Sequence, residues 1–441
     1  MSISGFRPEI GDMLGQTKGA SGFAPGLDFA FGMTGDSYIN KALDNGWLVS
    51  DSVVSPATTN AQEDLQIRMT LEPVRDLKID LNAGRTRNKS NQIQFMYEGM
   101  PQIQSGNFNM TVITIGSAFE RRSASNGYSS SSFNRFLGNL DIIKNRIENM
   151  YAGVPYQGQS GLNQQPLYQV NKYSSDVMIP AFLAAYTGRS ASNSALDLFP
   201  GILSMMPNWR VTYSGLSKLE FFKKYFKSVT LNHAYRSTYS VGSYSTFQNF
   251  HSYMGDWGFV DDIQTGIPVP SSMYDVSAVS INEQFSPLLG VDVTFKNGIT
   301  TKVEYKTTRI LNLSLAANQI VESSTKDFVL GMGYKIMGLE LFPGRNKKDS
   351  KNKISNDLAL RMDVSFRNQS ALARDIQQVT TQATSGNKAL KISFSADYTL
   401  SRLLSVSFYY DRQKNTPLVS ASSYPVTSAD FGMRLKFSLT R

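Results

Sequence analysis

The chain has no cysteine, which excludes a disulfide frame, a thiolate nucleophile and cysteine-ligated zinc. Histidine is almost as scarce. His233 lies in a strand-like run and His251 near Ser252 and Asp256, with no nucleophile elbow or spaced triad beside either. Phosphate-loop, dinucleotide, EF-hand and histidine–zinc spacings are also missing. Asp261 and Asp262 are adjacent, so on an extended backbone their side chains diverge, unlike a glycosidase carboxylate pair. The reading is therefore not an enzyme, with no cofactor and no metal. No run of about 18 apolar residues occurs, so no transmembrane helix is expected. Met1 to Arg7 has neither a basic start nor an apolar stretch, so an export signal is expected upstream. The formal charge of +9 is spread along strands and turns rather than gathered on one face, and no nucleic-acid partner is expected. The densest run, Arg345, Lys347, Lys348, Lys351 and Lys353, reads as a solvated loop.

What the chain does have is long alternation. From Val279 the odd positions run Val279, Ile281, Glu283, Phe285, Pro287, Leu289, Val291, Val293, Phe295, and the even positions are mostly polar. After Asn297-Gly298 the odd positions continue Ile299, Thr301, Val303, Tyr305, Thr307, Arg309, Leu311, Leu313. Period two puts one row on each sheet face, and Asn-Gly between such runs predicts a hairpin with a type I′ turn, positive φ twice. Soluble strands average about 5–6 residues; these arms are roughly three times longer. Membrane-spanning strands need about 9–11, and negative mean hydropathy is compatible with a barrel because only alternate residues meet lipid.

Taken in order, residues 1–63 hold a short strand at Gly22 to Met33 and a polar connection with at most one helical turn. Residues 64–120 carry strands at Leu65 to Leu71, Leu77 to Ala83, Ile93 to Tyr97 and Phe108 to Phe119. Residues 121–208 break the pattern. Phe133, Phe136, Leu140, Ile143 and Ile147 follow helical spacing, with Ser131 or Ser132 as cap, and a second helix is predicted from a cap at Asp176 to Gly188. Residues 209–441 return to strands, beginning at Trp209 to Phe222 and separated by long loops at Gly242 to Ser277, Asn368 to Lys388 and Asn415 to Ser428. About fourteen strands are expected, with short turns on one side and long loops on the other. The fold class expected is all-β: an antiparallel outer-membrane β-barrel wall, part of a much larger barrel, with a small helical insertion.

The alternation assigns faces. Lumen-facing positions are predicted at Asp292, Thr294, Lys302, Glu304, Lys306, Arg361, Asp363, Lys391, Asp397, Arg434 and Lys436. Lipid-facing positions are predicted at Val291, Val293, Phe295, Val303, Tyr305, Leu311, Leu313, Phe431, Met433, Leu435 and Phe437. A water-filled lumen lined by the first set would pass polar cargo. Two soluble readings compete: a sandwich whose apolar rows bury each other, and a β-rich surface adhesin. A smaller outer-membrane transporter or lipopolysaccharide-export-like barrel is the membrane alternative.

Four segments carry a family resemblance: Pro25-Gly26-Leu27-Asp28-Phe29-Ala30-Phe31-Gly32, Asp176-Val177-Met178-Ile179-Pro180-Ala181-Phe182, Pro207-Asn208-Trp209-Arg210-Val211-Thr212-Tyr213, and Ser286-Pro287-Leu288-Leu289-Gly290-Val291-Asp292. With them the chain resembles the carboxy-terminal region of the SprA/Sov family, the outer-membrane translocons of the type IX secretion system, linked in some relatives to gliding motility. The resemblance implies a wall segment of a very large barrel in the outer membrane of a Gram-negative bacterium of the Bacteroidota. It implies passage of folded proteins bearing a carboxy-terminal signal domain. It also implies a PorV-like shuttle protein, a plug protein and periplasmic or inner-membrane motor components as partners.

Overall fold

The computed structural model describes residues 37–47, 56–93, 103–120, 122–152, 154, 169–262, 266–339, 357–400, 404–419 and 424–437. The predicted strand at Gly22 to Met33 and the basic run at Arg345 to Lys353 lie outside them, as does most of the run Ile93 to Tyr97. In chain order the elements are α1 (Ser37–Asp44), β1 (Ala57–Val74), β2 (Leu77–Ile93), β3 (Ile103–Thr111), α2 (Ile115–Ala118), α3 (Ser131–Met150), α4 (Ser175–Thr187), β4 (Asn208–Tyr213) and α5 (Glu220–Tyr225). There follow β5 (Phe226–Thr246), β6 (Phe250–Met254), β7 (Trp257–Asp261), β8 (Pro268–Ser272), β9 (Tyr274–Val276), β10 (Ala278–Phe295), β11 (Thr300–Ser314) and β12 (Gln319–Ile336). The last four are β13 (Leu358–Asp375), β14 (Thr381–Thr399), β15 (Leu404–Pro417) and β16 (Val426–Phe437).

The fold is all-β, an antiparallel barrel-type wall with a small helical layer. Thirteen strands make one sheet in the order β1-β2-β3-β5-β10 and then consecutively to β16, with β4 and β9 off that path. β6, β7 and β8 make a separate small sheet. β3 and β4 share one position in the wall. β3 pairs with β2 from Gln92 to Arg85, and β4 takes over from Asn82 to Leu77. Both then pair with β5, β3 at its Thr238 end and above, β4 from Tyr235 downward. Residues 112–207, which carry α2, α3 and α4, are thus an excursion from the middle of a single wall strand.

Several local expectations are corrected. The hairpin turn has positive φ only at Gly298 (+88°). Phe295 O accepts from Gly298 N at 3.1 Å, and Phe295 N donates to Ile299 O at 2.8 Å. This is a three-residue loop closed by one left-handed glycine, not a type I′ turn. Phe108 to Phe119 is not one strand: β3 ends at Thr111 and α2 follows. Trp209 to Phe222 is likewise β4, a 3-10 turn and α5. Ser130, not Ser131 or Ser132, caps α3, its Oγ accepting from Phe133 N. Ser174 is the N-cap of α4, and Gly188 ends it in the left-handed conformation. Gly242 to Ser277 holds β6 to β9. Asn368 to Lys388 is mostly strand with a turn at residues 376–380, and β11 joins β12 through residues 315–318. Long loops therefore do not fill one side as expected. The arms of the β13–β14 turn carry few apolar side chains, and the covered row of β13 holds Ser370, Leu372 and Arg374, so no alternation marked them as strand.

β10 carries an irregularity that keeps its faces. Between Phe285 and Leu289 it advances four residues while β11 advances two, from Thr307 to Tyr305. Two extra residues preserve parity, so the odd row stays on one face, whereas one extra would have reversed it. His233 Nδ1 lies 2.6 Å from Leu288 O inside that bulge. Its role there is to satisfy a strand carbonyl.

Candidate functional site

The wall has one apolar and one polar face, and registers trace both across it. On the apolar face Tyr305 sits opposite Phe328, Phe328 opposite Phe366 and Phe366 opposite Leu390. Lower down, Met332, Met362, Phe394, Tyr410 and Phe431 form a second cross-strand line. Many of these side chains are exposed, Phe366, Phe394, Met433 and Leu435 among them. On β12 the bare stretch runs from Phe328 to Ile336 with no buried residue in it, about nine residues, the length a tilted membrane-spanning strand needs.

The predicted lipid-facing residues all lie on this face, but not in one environment. Val291, Val293, Phe295, Val303 and Tyr305 are half-buried, and Phe431, Met433, Leu435 and Phe437 are exposed. Leu311 and Leu313 are corrected: both are 0% exposed. They belong to a core that also holds Val279, Ile281, Tyr239 and Ile320 from the wall and Phe136, Ile143 and Phe182 from α3 and α4. The helical layer covers the upper half of the face and leaves the lower half bare. Burying a Leu completely is worth about 1.5–3 kcal/mol, and this layer supplies the cover that alternation alone had assigned to lipid.

The predicted lumen residues share the opposite face. Thr230, Asp292, Lys302, Gly331 and Asp363 stand in one cross-strand line, and Thr294, Thr300, Gly333 and Arg361 in the next. Asp363 is followed across β14 by Ser393, next to Lys391 paired with Ser365; Asp397 faces Ser407, which faces Arg434, and Lys436 faces Ser405. Lys302, Arg361, Asp363, Lys391, Arg434 and Lys436 are exposed. Glu304 accepts from Lys302 at 2.9 Å and Lys306 at 2.8 Å, Asn232 Nδ2 donates to Asp292 at 2.7 Å, and Arg367 forks onto Asp327 at 2.7 and 3.2 Å. Positive and negative groups alternate on a wetted surface. Such exposed pairs are worth little in stability; they line rather than lock.

Between cover and bare band lies a seam of buried charge that sequence reading missed as a unit. Glu283 and Arg309 are directly opposite on β10 and β11, both 2% exposed and 2.8 Å apart. The helical layer meets them: Thr114 Oγ1 donates to Glu283 at 2.6 Å, and Arg309 donates to Ser117 O and Oγ at 2.7 Å each. Tyr235 OH adds a donor to Glu283 at 3.0 Å. Further along, Glu322 takes Arg122 from the layer at 2.9 Å and Arg374 from β13 at 3.2 Å. Arg374 also donates to Tyr128 O at 2.8 Å and packs over the Phe133 ring. Burial disfavours the charged form of Arg122 and lowers its pKa. Glu120 faces the start of α3. Burial alone would raise its pKa, but hydroxyls of Ser130, Ser132 and Ser131 and the Ser132 N–H hold it down at about 2. The signal for the seam was Glu283 and Arg309, the two charges interrupting the odd row.

The remaining sequence candidates sit apart. Asp176 does not cap α4. It is buried and accepts from Ser272 N at 3.0 Å and from the Ser271 and Ser272 hydroxyls, tying α4 to β8. His251 Nε2 lies 3.1 Å from Asp261 on the exposed small sheet. Among the described residues no group of three or more metal-ligating side chains converges, and no helix is long and apolar enough to cross a membrane.

No protein-family model matches the chain, and no curated protein matches it. Solved structures similar to it include two of in-vitro folded OmpT, an outer membrane protein of Vibrio cholerae, one of them in a trimer form. Both are 9% identical with a TM-score of 0.22, covering 87% of this chain and 99% and 96% of theirs. A likeness that slight carries no argument about function.

Proposed function

We propose that this chain forms part of the wall and lumen of an outer-membrane protein-conducting translocon of the type IX secretion kind, in a Gram-negative bacterium of the Bacteroidota. The observation that carries the membrane part is the bare apolar band, about nine residues tall, backed along its length by a charged, wetted face. The larger-barrel part is supported by β1 and β16, which each have one strand neighbour among the described residues. An unpaired edge in hydrocarbon leaves backbone groups unsatisfied at several kcal/mol each, so further strands are expected on both sides. The type IX assignment, the PorV-like shuttle, the plug, the motor components and the signal-bearing cargo rest on the family resemblance. In this reading the polar face guides folded cargo by weak, exchangeable contacts and performs no covalent chemistry.

These 441 residues hold no cysteine of their own, so introduced ones are the sole thiols in this part of the wall. Single cysteines at Asp363 and Lys302 on the polar face, and at Met332 on the apolar face, are introduced into the full-length protein in its own cells. A secretion substrate fused to a bulky folded domain is stalled in transit and cross-linked. Adducts at Asp363→Cys and Lys302→Cys but not at Met332→Cys are expected. Unchanged secretion after depletion of the protein, or adducts confined to Met332→Cys, overturns the reading.

A further inference from the structure

The helical layer has an outer face and a lower edge, and their chemistry differs. The outer face of α3 exposes Asn134, Arg135, Asp141, Asn145 and Asn149, suited to water. The lower edge exposes Ile115, Phe119, Ile202, Leu203 and Met206, with Leu203 98% exposed. That edge abuts the bare band. The Phe119 ring lies 5.2 Å from Phe285 in the apolar row. Met206 N donates to Thr111 O at 3.1 Å, and Arg85 Nε donates to Pro200 O at 3.3 Å. These contacts hold the 200–206 segment against the wall where β2 passes from Arg85 to Ala83, and Ala83 faces Ile67 of the exposed band. Behind the edge a slot opens between α4 and the chain leaving β3, lined by Val112, Leu183, Ala184, Thr187 and Pro200, with Arg189 at its rim. Arg189 donates to Ser204 O at 3.2 Å.

We propose that this lower edge is a membrane-insertion surface that seats the helical layer in the nearest leaflet, and that the slot accepts an acyl chain from a lipid of that leaflet. The inference rests on the lipid-facing assignment of the bare band and deepens it. An apolar edge continuous with a lipid-facing band lies at the hydrocarbon boundary, where amphipathic elements sink about 5–10 Å into the headgroup and acyl region. A second protein on the same edge would have to straddle lipid and layer together. The slot is apolar along its walls and cationic at its rim, which matches an acyl chain held below its own headgroup.

The test uses the full-length protein, purified from its own cells and reconstituted into phospholipid nanodiscs, with any cysteine outside these residues replaced and an environment-sensitive fluorophore on a single introduced cysteine. Labelling sites are Leu203 at the edge, Thr187 in the slot, Asn145 on the outer face and Phe394 in the band. Lipids carry a spin-label quencher either close to the headgroup or in mid-chain. Loss of emission at Leu203→Cys and Thr187→Cys is expected, stronger with the shallow quencher, while Asn145→Cys keeps its emission and Phe394→Cys responds to the mid-chain quencher. If Phe394→Cys is quenched and Leu203→Cys is not, the insertion surface is overturned while the band's assignment stands. If Leu203→Cys is quenched and Thr187→Cys is not, the slot is overturned. If Phe394→Cys is untouched, the band's orientation fails and the inference fails with it.

Discussion

Replacing Glu283 by Gln removes one charge from the seam and leaves the other in place. Arg309 is 2% exposed and keeps its bonds to Ser117, but it loses the carboxylate 2.8 Å away. Orphaning one partner of a buried pair costs about 3–5 kcal/mol, whereas replacing both partners by apolar groups of similar volume is often near neutral. Here recovery should be incomplete. In the pair Glu283→Leu, Arg309→Met, Thr114 can still bond Ser237, whose hydroxyl is 3.0 Å away, but Ser117 O keeps only the 3.2 Å bond from Arg122 and Ser117 Oγ loses its guanidinium donor, at about 1–3 kcal/mol. Each single variant should therefore be less stable than the double, the double should lie below the parent, and the cycle of Glu283→Leu, Arg309→Met and the two together should show a coupling of at least about 2 kcal/mol. Denaturant unfolding in micelles measures the order. Maleimide labelling of Leu313→Cys, a position covered only while the layer is seated, reports whether the layer lifts first. A single-variant cost below about 1 kcal/mol, or purely additive costs, would refute the claim that this pair holds layer to wall.

Other expectations follow from the same geometry. Glu120 is held at a pKa of about 2, below its unfolded value of about 4.3. Its stabilisation is full above the unfolded value and is lost as pH falls toward 2. Allowing for solvent screening, about 1–2 kcal/mol should vanish over that window, and Glu120→Gln should flatten the acid limb of the layer's unfolding curve. Phe394→Arg, on the middle line of the bare band, should impair assembly by about 2–4 kcal/mol, and Ser393→Arg on the polar face far less; equal heat-modifiability on gels would count against the orientation. Gly298→Ala should cost about 1 kcal/mol because its φ of +88° is left-handed, read as a lower unfolding midpoint with the alternation intact.

Alternation made much of the wall legible, because a two-faced strand writes its environment at every second residue. Val291 with Val303, Tyr305 with Phe328 and Phe408 with Met433 are face-mates deducible before any register is known. What alternation cannot distinguish is which apolar solvent meets the row. Leu311 under the helices and Leu435 in the bare band look alike in sequence, since protein interior and lipid select the same side chains. The strand extensions, such as Arg367 to Asp375 and Thr381 to Lys388, were invisible for the opposite reason: the covered row of the first holds Ser370, Leu372 and Arg374, with Leu372 and Arg374 buried, so too few apolar residues recur to mark a period and the run resembles a loop. The split strand of β3 and β4 was also hidden, because two short runs almost a hundred residues apart share a position only through β2 and β5.

That split explains why the seam lies where it does. The chain leaves the wall after Thr111 and returns at Asn208, and both ends are pinned to one residue of β5: Val112 N donates to Ser237 O at 3.1 Å, and Asn208 Oδ1 accepts from Ser237 N at 2.7 Å. Ser237 in turn stands opposite Glu283, which stands opposite Arg309. The excursion's two roots and the first charged pair are thus one cross-strand line. A helical layer on an apolar sheet could slide, since apolar contact is non-directional. Charges buried in that line permit one seating, because any displacement leaves a carboxylate or guanidinium without its partner. The same line divides covered row from bare row, so whatever fixes the layer's position also fixes the height of wall left for lipid.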